Sequence, residues 1–154
     1  MNRLTCLSKI VVVGTVIEKE SQFTENGGFI FTDYDYMVNQ ILKNDDTVAI
    51  EINHSITIAG LSGAVISHGH RIEVFDEQHQ PLMIGQQYLL FLDNIPGTTD
   101  FKGVTSWHEN SFVIADNQIS QVSNLETPLG KGVHLDLSTF LNKVAMAINT
   151  PCKK

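Results

Sequence analysis

Gly85-Gln86-Gln87-Tyr88-Leu89-Leu90-Phe91-Leu92-Asp93 constrains this chain more than any other stretch: a glycine turn, an unbroken apolar run and an aspartate that ends it. The run is too short for a free-standing helix, and its Tyr, Phe and flanking Gly favour a strand buried on both faces. Such a strand belongs in a sheet that closes around one core.

Other segments carry the same signature. Ile10 to Ile17 is apolar except at Gly14 and Thr15, so it reads as a second doubly buried strand, with Gly14 as a candidate bulge or bend. Between the turns Asn26-Gly27-Gly28 and Asn44-Asp45-Asp46 lies a long strand. Phe29 and Phe31 share one parity in it, and Tyr34, Tyr36, Val38 and Leu42 the other, which predicts a bulge near Thr32-Asp33. Val48, Ile50, Ile52, Ile56 and Ile58 then alternate with polar residues, with a break at Asn53-His54-Ser55. Gly60 to Gly69 reads as loop, Arg71 to Phe75 as a short strand, and Phe101 to Val104 and Ser111 to Ala115 as two more. About seven strands at this spacing describe a small barrel or sandwich. At the other end, Phe140, Leu141, Val144, Ala145 and Ile148 form a helical stripe over about 138–149, with Ser138 or Asp136 as N-cap.

The 154 residues suit a single domain: a barrel over about 8–122, a polar tether over about 120–135, then the helix. With 42% apolar and 18% charged residues the chain is globular. A formal charge of −7, with ten scattered lysines and arginines, argues against a phosphate-binding surface and so against nucleic acid. The apolar run Ile10-Val11-Val12-Val13 falls far short of the roughly 20 residues that cross a bilayer, so no transmembrane segment is expected. Met1 to Leu7 lacks the apolar region of a signal peptide, which leaves a cytosolic chain and an exported chain whose leader lies outside this sequence. Cys6 and Cys152 sit near opposite ends. Domain termini often lie close together, so a Cys6–Cys152 disulfide and a pair of free thiols both fit the count.

Few residues point to chemistry. His68-Gly69-His70 is the one local pair with metal-like spacing, and His79, His108 and Glu109 would complete a site if the fold gathered them. Against this, Gly69 marks a loop, where histidines are usually solvated, and no Cys-x-x-Cys or His-Glu-x-x-His accompanies them. Gly60-Leu61-Ser62-Gly63-Ala64 approaches a nucleophile elbow but has Ala64 where the second glycine belongs. Asp33 and Asp35 share a face that more often solvates a strand than holds calcium. Phe29, Phe31, Tyr34 and Tyr36 are core by default, although some barrels stack single strands on such a face. No phosphate loop is present, and no cofactor is expected. Trp107, beside His108 and Glu109 in a loop, is the best candidate contact residue, with plugging a barrel end as its structural alternative.

Three blocks in order, Ile10 to Val16, Thr32 to Val38 running into Ile41-Leu42-Lys43, and Gly85 to Leu92, resemble a family of largely uncharacterised bacterial domains. The resemblance spans roughly Ile10 to Val122 and extends to the helix around Phe140-Leu141. It implies an OB-like barrel of the netrin or metalloproteinase-inhibitor type, and export. Family members usually carry a Gly-Gly turn where this chain has Asn53-His54. The resemblance transfers no functional residue.

The expectation is therefore a mainly β protein: a small OB-like β-barrel with a C-terminal α-helix, acting as a noncatalytic extracytoplasmic binding or protein-interaction module. Trp107 and His108 are its candidate binding residues, a protein partner is compatible with it, and the small-molecule ligand is unknown. The alternative is a small metal-dependent or hydrolytic enzyme using the His68, His70, His108 and Glu109 neighbourhood, with His68 and His70 as metal ligands.

Overall fold

The computed structural model describes residues 1–45, 48–74, 81–104, 111–122 and 134–152. In chain order the elements are α1 (Asn2–Leu7), β1 (Ile10–Phe23), β2 (Ile30–Asn44), β3 (Ser55–Leu61), β4 (Gly63–Ser67), β5 (His70–Val74), β6 (Gln87–Asn94), β7 (Phe101–Gly103), β8 (Ser111–Ala115), β9 (Gln118–Gln121), β10 (Leu135–Asp136) and α2 (Leu137–Ile148).

The strands order as β1-β2-β3-β7-β6, and β6 pairs back onto β1, which closes a five-stranded barrel. Every neighbour is antiparallel except β3 and β7, which run parallel with Ile58 opposite Phe101. A closed five-stranded barrel with this crossover is OB-like. β8, β9 and β10 extend the sheet outward from β6. β4 and β5 form a separate hairpin.

The two uninterrupted apolar strands are explained by two cores. Ile10, Val12 and Val16 of β1 and Tyr88, Leu90 and Leu92 of β6 point into the barrel with Tyr34, Tyr36, Val38, Ile58 and Phe101. The alternate residues Val11, Val13, Leu89 and Phe91 point outward, where Phe112, Ile114 and Ile119 of β8 and β9 meet Phe140 and Val144 of α2. Alternation along a strand sends every second side chain to the opposite face, so a strand serving two cores must be apolar throughout. Each fully buried side chain of this size contributes roughly 1.5–3 kcal/mol. Helix α2 begins at the N-cap Asp136, whose carboxylate accepts from the Thr139 N–H at 2.8 Å.

Gly14 does sit at an irregularity, since the β1–β2 register shifts between Val13 and Gly14. A Cβ there would collide with the Met37 carbonyl oxygen and lie 2.6 Å from a ring carbon of Tyr36. The glycine thus makes room for the Tyr36 ring, whose hydroxyl donates to the Tyr88 carbonyl at 2.6 Å.

Cys6 and Cys152 form a disulfide with their Cα atoms 5.7 Å apart, tying α1 to the segment that follows α2. Lys43 supports the same arrangement from β2, donating to the carbonyls of Thr5 at 2.8 Å and Ser8 at 2.6 Å. Helix α1 had no sequence prediction. Six residues have little helical stability of their own, and the disulfide and Lys43 supply what propensity does not.

Several expectations need correction. Register between β1 and β2 is continuous at Thr32 and Asp33, and the slip lies further along, where Asn39 and Leu42 are extra residues on β2 and Ile17 is extra on β1. Consequently Ile30, Thr32, Tyr34, Tyr36 and Val38 face inward in one phase, Phe31 faces outward, and Leu42 joins the outer core. The alternating segment from Val48 is a strand only from Ser55; Asn53 turns with φ 65°, and its N–H donates to the Val38 carbonyl at 2.7 Å. Gly60 to Gly69 is not a loop but the end of β3, β4 and the His68-Gly69 turn. The span of about 120–135 expected as a tether overlaps β9, which runs through Gln121, and β10, which begins at Leu135; residues 123–133 lie outside the described part.

Candidate binding face

The outward registers of β1, β2 and β3 build one surface. Gln22 lies opposite Phe31, Glu20 opposite Asp33 and Glu18 opposite Asp35. Across β2, Phe31 lies opposite Leu61, Asp33 opposite Ala59 and Asp35 opposite Thr57. These registers carry no lysine or arginine. The next strand, β7, has Lys102 opposite Asp93 of β6.

One end of the face is apolar. The connection from β1 to β2 is held by its own hydrogen bonds: Thr24 N–H to the Phe29 carbonyl at 2.9 Å, Gly27 N–H to the Thr24 carbonyl at 2.7 Å, and Gly28 N–H to the Asn26 side-chain oxygen at 3.0 Å. The Phe29 N–H donates to the Thr24 hydroxyl at 3.1 Å. These bonds fix the turn while leaving the Phe29 side chain 65% exposed, and Leu61 is 62% exposed across the strand from Phe31. Phe29 and Phe31 line one open hollow of about 470 Å³ with Thr24, Glu25 and Asn26.

The rest of the face is acidic. Gln22 donates from its side-chain nitrogen to the Asp33 carboxylate at 2.9 Å. Partial burial pushes the Asp33 carboxyl above the usual range, and the charges of Asp100, Glu20 and Asp35 add to the shift, while the Gln22 bond opposes it. Asp100 comes from the β6–β7 connection, where the Ile95 N–H donates to the Asp100 carbonyl at 2.9 Å. The face and the two connections that flank it are the parts of an OB-like barrel that take ligands.

His68 lies in the turn of the β4–β5 hairpin and His70 opens β5, both exposed; the Nδ1 of His68 lies 3.1 Å from the Ser67 hydroxyl. Among the described residues, no group of three or more His, Cys, Asp or Glu side chains is placed to hold a metal ion. Trp107, His108, Glu109 and His79 lie outside the described residues. Ser62 is buried and leads into strand β4 rather than a helix, so the strand-turn-helix of a nucleophile elbow is missing. Tyr34 and Tyr36 are buried in the barrel, so no stacking face joins them to Phe29 and Phe31.

A smaller hollow of about 110 Å³ beside the hairpin is lined by Lys19, Thr32, Tyr34, Arg71 and Glu73 among others. Its polar groups are largely engaged: Thr32 donates to the Ser62 carbonyl at 2.6 Å, and Arg71 pairs with Glu73 at 3.3 Å.

Phe29, Phe31, Asp33 and Asp35 were each visible in the sequence, but not as one site. Phe31 reads as core in the sequence, apart from the carboxylates beside it; Glu20 and Leu61 join it through the pairings of β1 with β2 and of β2 with β3, and Asp100 comes from the β6–β7 connection. Comparisons with protein-family models and with curated proteins found no match to this chain.

Proposed function

We propose that the protein is a noncatalytic binding module working outside the cytoplasm, and that it engages a protein partner through the outer face of β1, β2 and β3. The observation that carries this reading is the Phe29–Phe31 hollow, opening beside Leu61 and continuous with the Asp33–Asp35 strip. Large apolar side chains held in solvent by a hydrogen-bonded turn are unfavourable alone and favourable under a partner. The disulfide supports an oxidising compartment. No helix among the described residues is long and apolar enough to cross a membrane. On this reading the chain belongs with the exported OB-like domains that it resembles.

Site-specific photocrosslinking tests the reading. A crosslinker at Leu61 should trap a defined protein of the host's extracytoplasmic fraction, and Phe31→Ser should abolish the adduct. A crosslinker at Ile72 on the hairpin should trap none. Equal trapping at both positions, or an adduct indifferent to Phe31→Ser, would overturn it.

A further inference from the structure

We propose that the occupant of this face is an extended cationic protein segment. It places one aromatic or aliphatic side chain in the Phe29–Phe31 hollow and sets Lys or Arg side chains, two and four residues further on, over Asp33 and Asp35. The proposal rests on the reading of the β1–β2–β3 face as the binding site.

The spacing comes from the strand. Phe31, Asp33 and Asp35 occupy successive outward positions of β2. Outward positions recur about every 6.6–6.8 Å along a strand, and an extended ligand has the same repeat. A segment lying along β2 therefore matches one apolar and two acidic positions with alternate side chains. The order of chemistry is fixed by the protein: apolar at the Phe29 end, acidic beyond it.

The sign of the charge comes from the whole face. Glu18, Glu20, Asp33 and Asp35 stand in register on two adjacent strands, and Glu25 lines the hollow itself. Asp100 is near enough to raise the Asp33 pKa. A cationic segment relieves this mutual repulsion and is steered to the face. A polyphosphate backbone would meet the same carboxylates with like charge. The apolar end supplies a desolvated anchor, and the carboxylates supply selectivity.

The test uses two synthetic heptapeptides, Ser-Trp-Ser-Lys-Ser-Arg-Ser and its counterpart with Glu in place of Lys and Arg, each titrated into the 15N-labelled full chain. The cationic peptide should shift the amide resonances of residues 29–35 and 57–61. Its affinity should fall about tenfold in the Asp33→Asn, Asp35→Asn double variant, the scale expected for two exposed ion pairs. Phe31→Ser should weaken it comparably, and Leu61→Ser, at a more exposed position, repeats that test should Phe31→Ser fail to fold. The Glu peptide should cause no shifts there. Face shifts from both peptides alike, or from the cationic peptide with affinity unchanged in the double variant, would overturn the cationic occupant and leave the face as a binding site. Absence of face shifts with either peptide would overturn both.

Discussion

The Tyr36 hydroxyl donates a 2.6 Å hydrogen bond to the Tyr88 carbonyl in the barrel interior. One phenol thus ties β2 to β6. Tyr36→Phe should destabilise the protein by about 1–3 kcal/mol, because the buried Tyr88 carbonyl loses its hydroxyl donor. Urea denaturation would show this as a lower midpoint at unchanged slope, and equal midpoints would show the bond to be energetically idle.

Burial pushes the phenols of Tyr34, Tyr36 and Tyr88 above their ordinary value, Tyr36 furthest. Above about pH 10 the unfolded chain releases these protons more readily than the folded one, so stability falls as pH rises. Below that point the three groups are protonated in both states and contribute no slope. Denaturation midpoints should therefore decline from about pH 10 upward, less steeply in Tyr36→Phe. A midpoint independent of alkaline pH would contradict the burial of these rings.

Gly14→Ala should be severely destabilising. Its methyl would collide with the Met37 carbonyl oxygen, and backbone cannot move aside as a flexible side chain can. The Tyr36 ring lies 2.6 Å from the same position. The expected loss is at least the roughly 1–3 kcal/mol typical of an overpacked core, read as a lower melting temperature or as insoluble expression. Wild-type stability in the variant would show that this position accepts a side chain.

Phe140 contacts Phe112 with ring centroids 5.0 Å apart and is fully buried between α2 and the sheet. Phe140→Ala should cost about 3–5 kcal/mol. The outer core lies against one side of the barrel, so dye binding to newly exposed apolar surface should rise. No dye binding and an unchanged midpoint would mean that α2 is not held by this contact.

The Cys6–Cys152 bond closes a loop spanning a sequence separation of 146 residues. Restricting the unfolded chain over nearly its whole length makes removal expensive: Cys152→Ser should lower stability by roughly 2–5 kcal/mol. Intact-mass analysis of the wild type, with and without reductant, should show the two-hydrogen difference. Thiol labelling of both cysteines without reductant would instead show the bond open.

Much of the architecture was legible because it depends on local pattern. The apolar run at Tyr88 to Leu92, the strand at Ser111 to Ala115 and the helical stripe of Phe140, Val144 and Ile148 are readable from periodicity and turn residues alone. Local pattern is enough to specify a mainly β chain with strands apolar on both faces and a terminal amphipathic helix. The outer face of β1, β2 and β3 took shape only in three dimensions. Whether Phe31 points in or out depends on where register slips, and the slips at Ile17, Asn39 and Leu42 are set by pairing between β1 and β2 rather than by either segment alone. Helix α1 forms against Lys43 and Cys152, and the charge of Asp100 in the β6–β7 connection acts on Asp33 of β2; neither relationship leaves a mark in local sequence, because such proximity between distant segments exists only once the chain has folded.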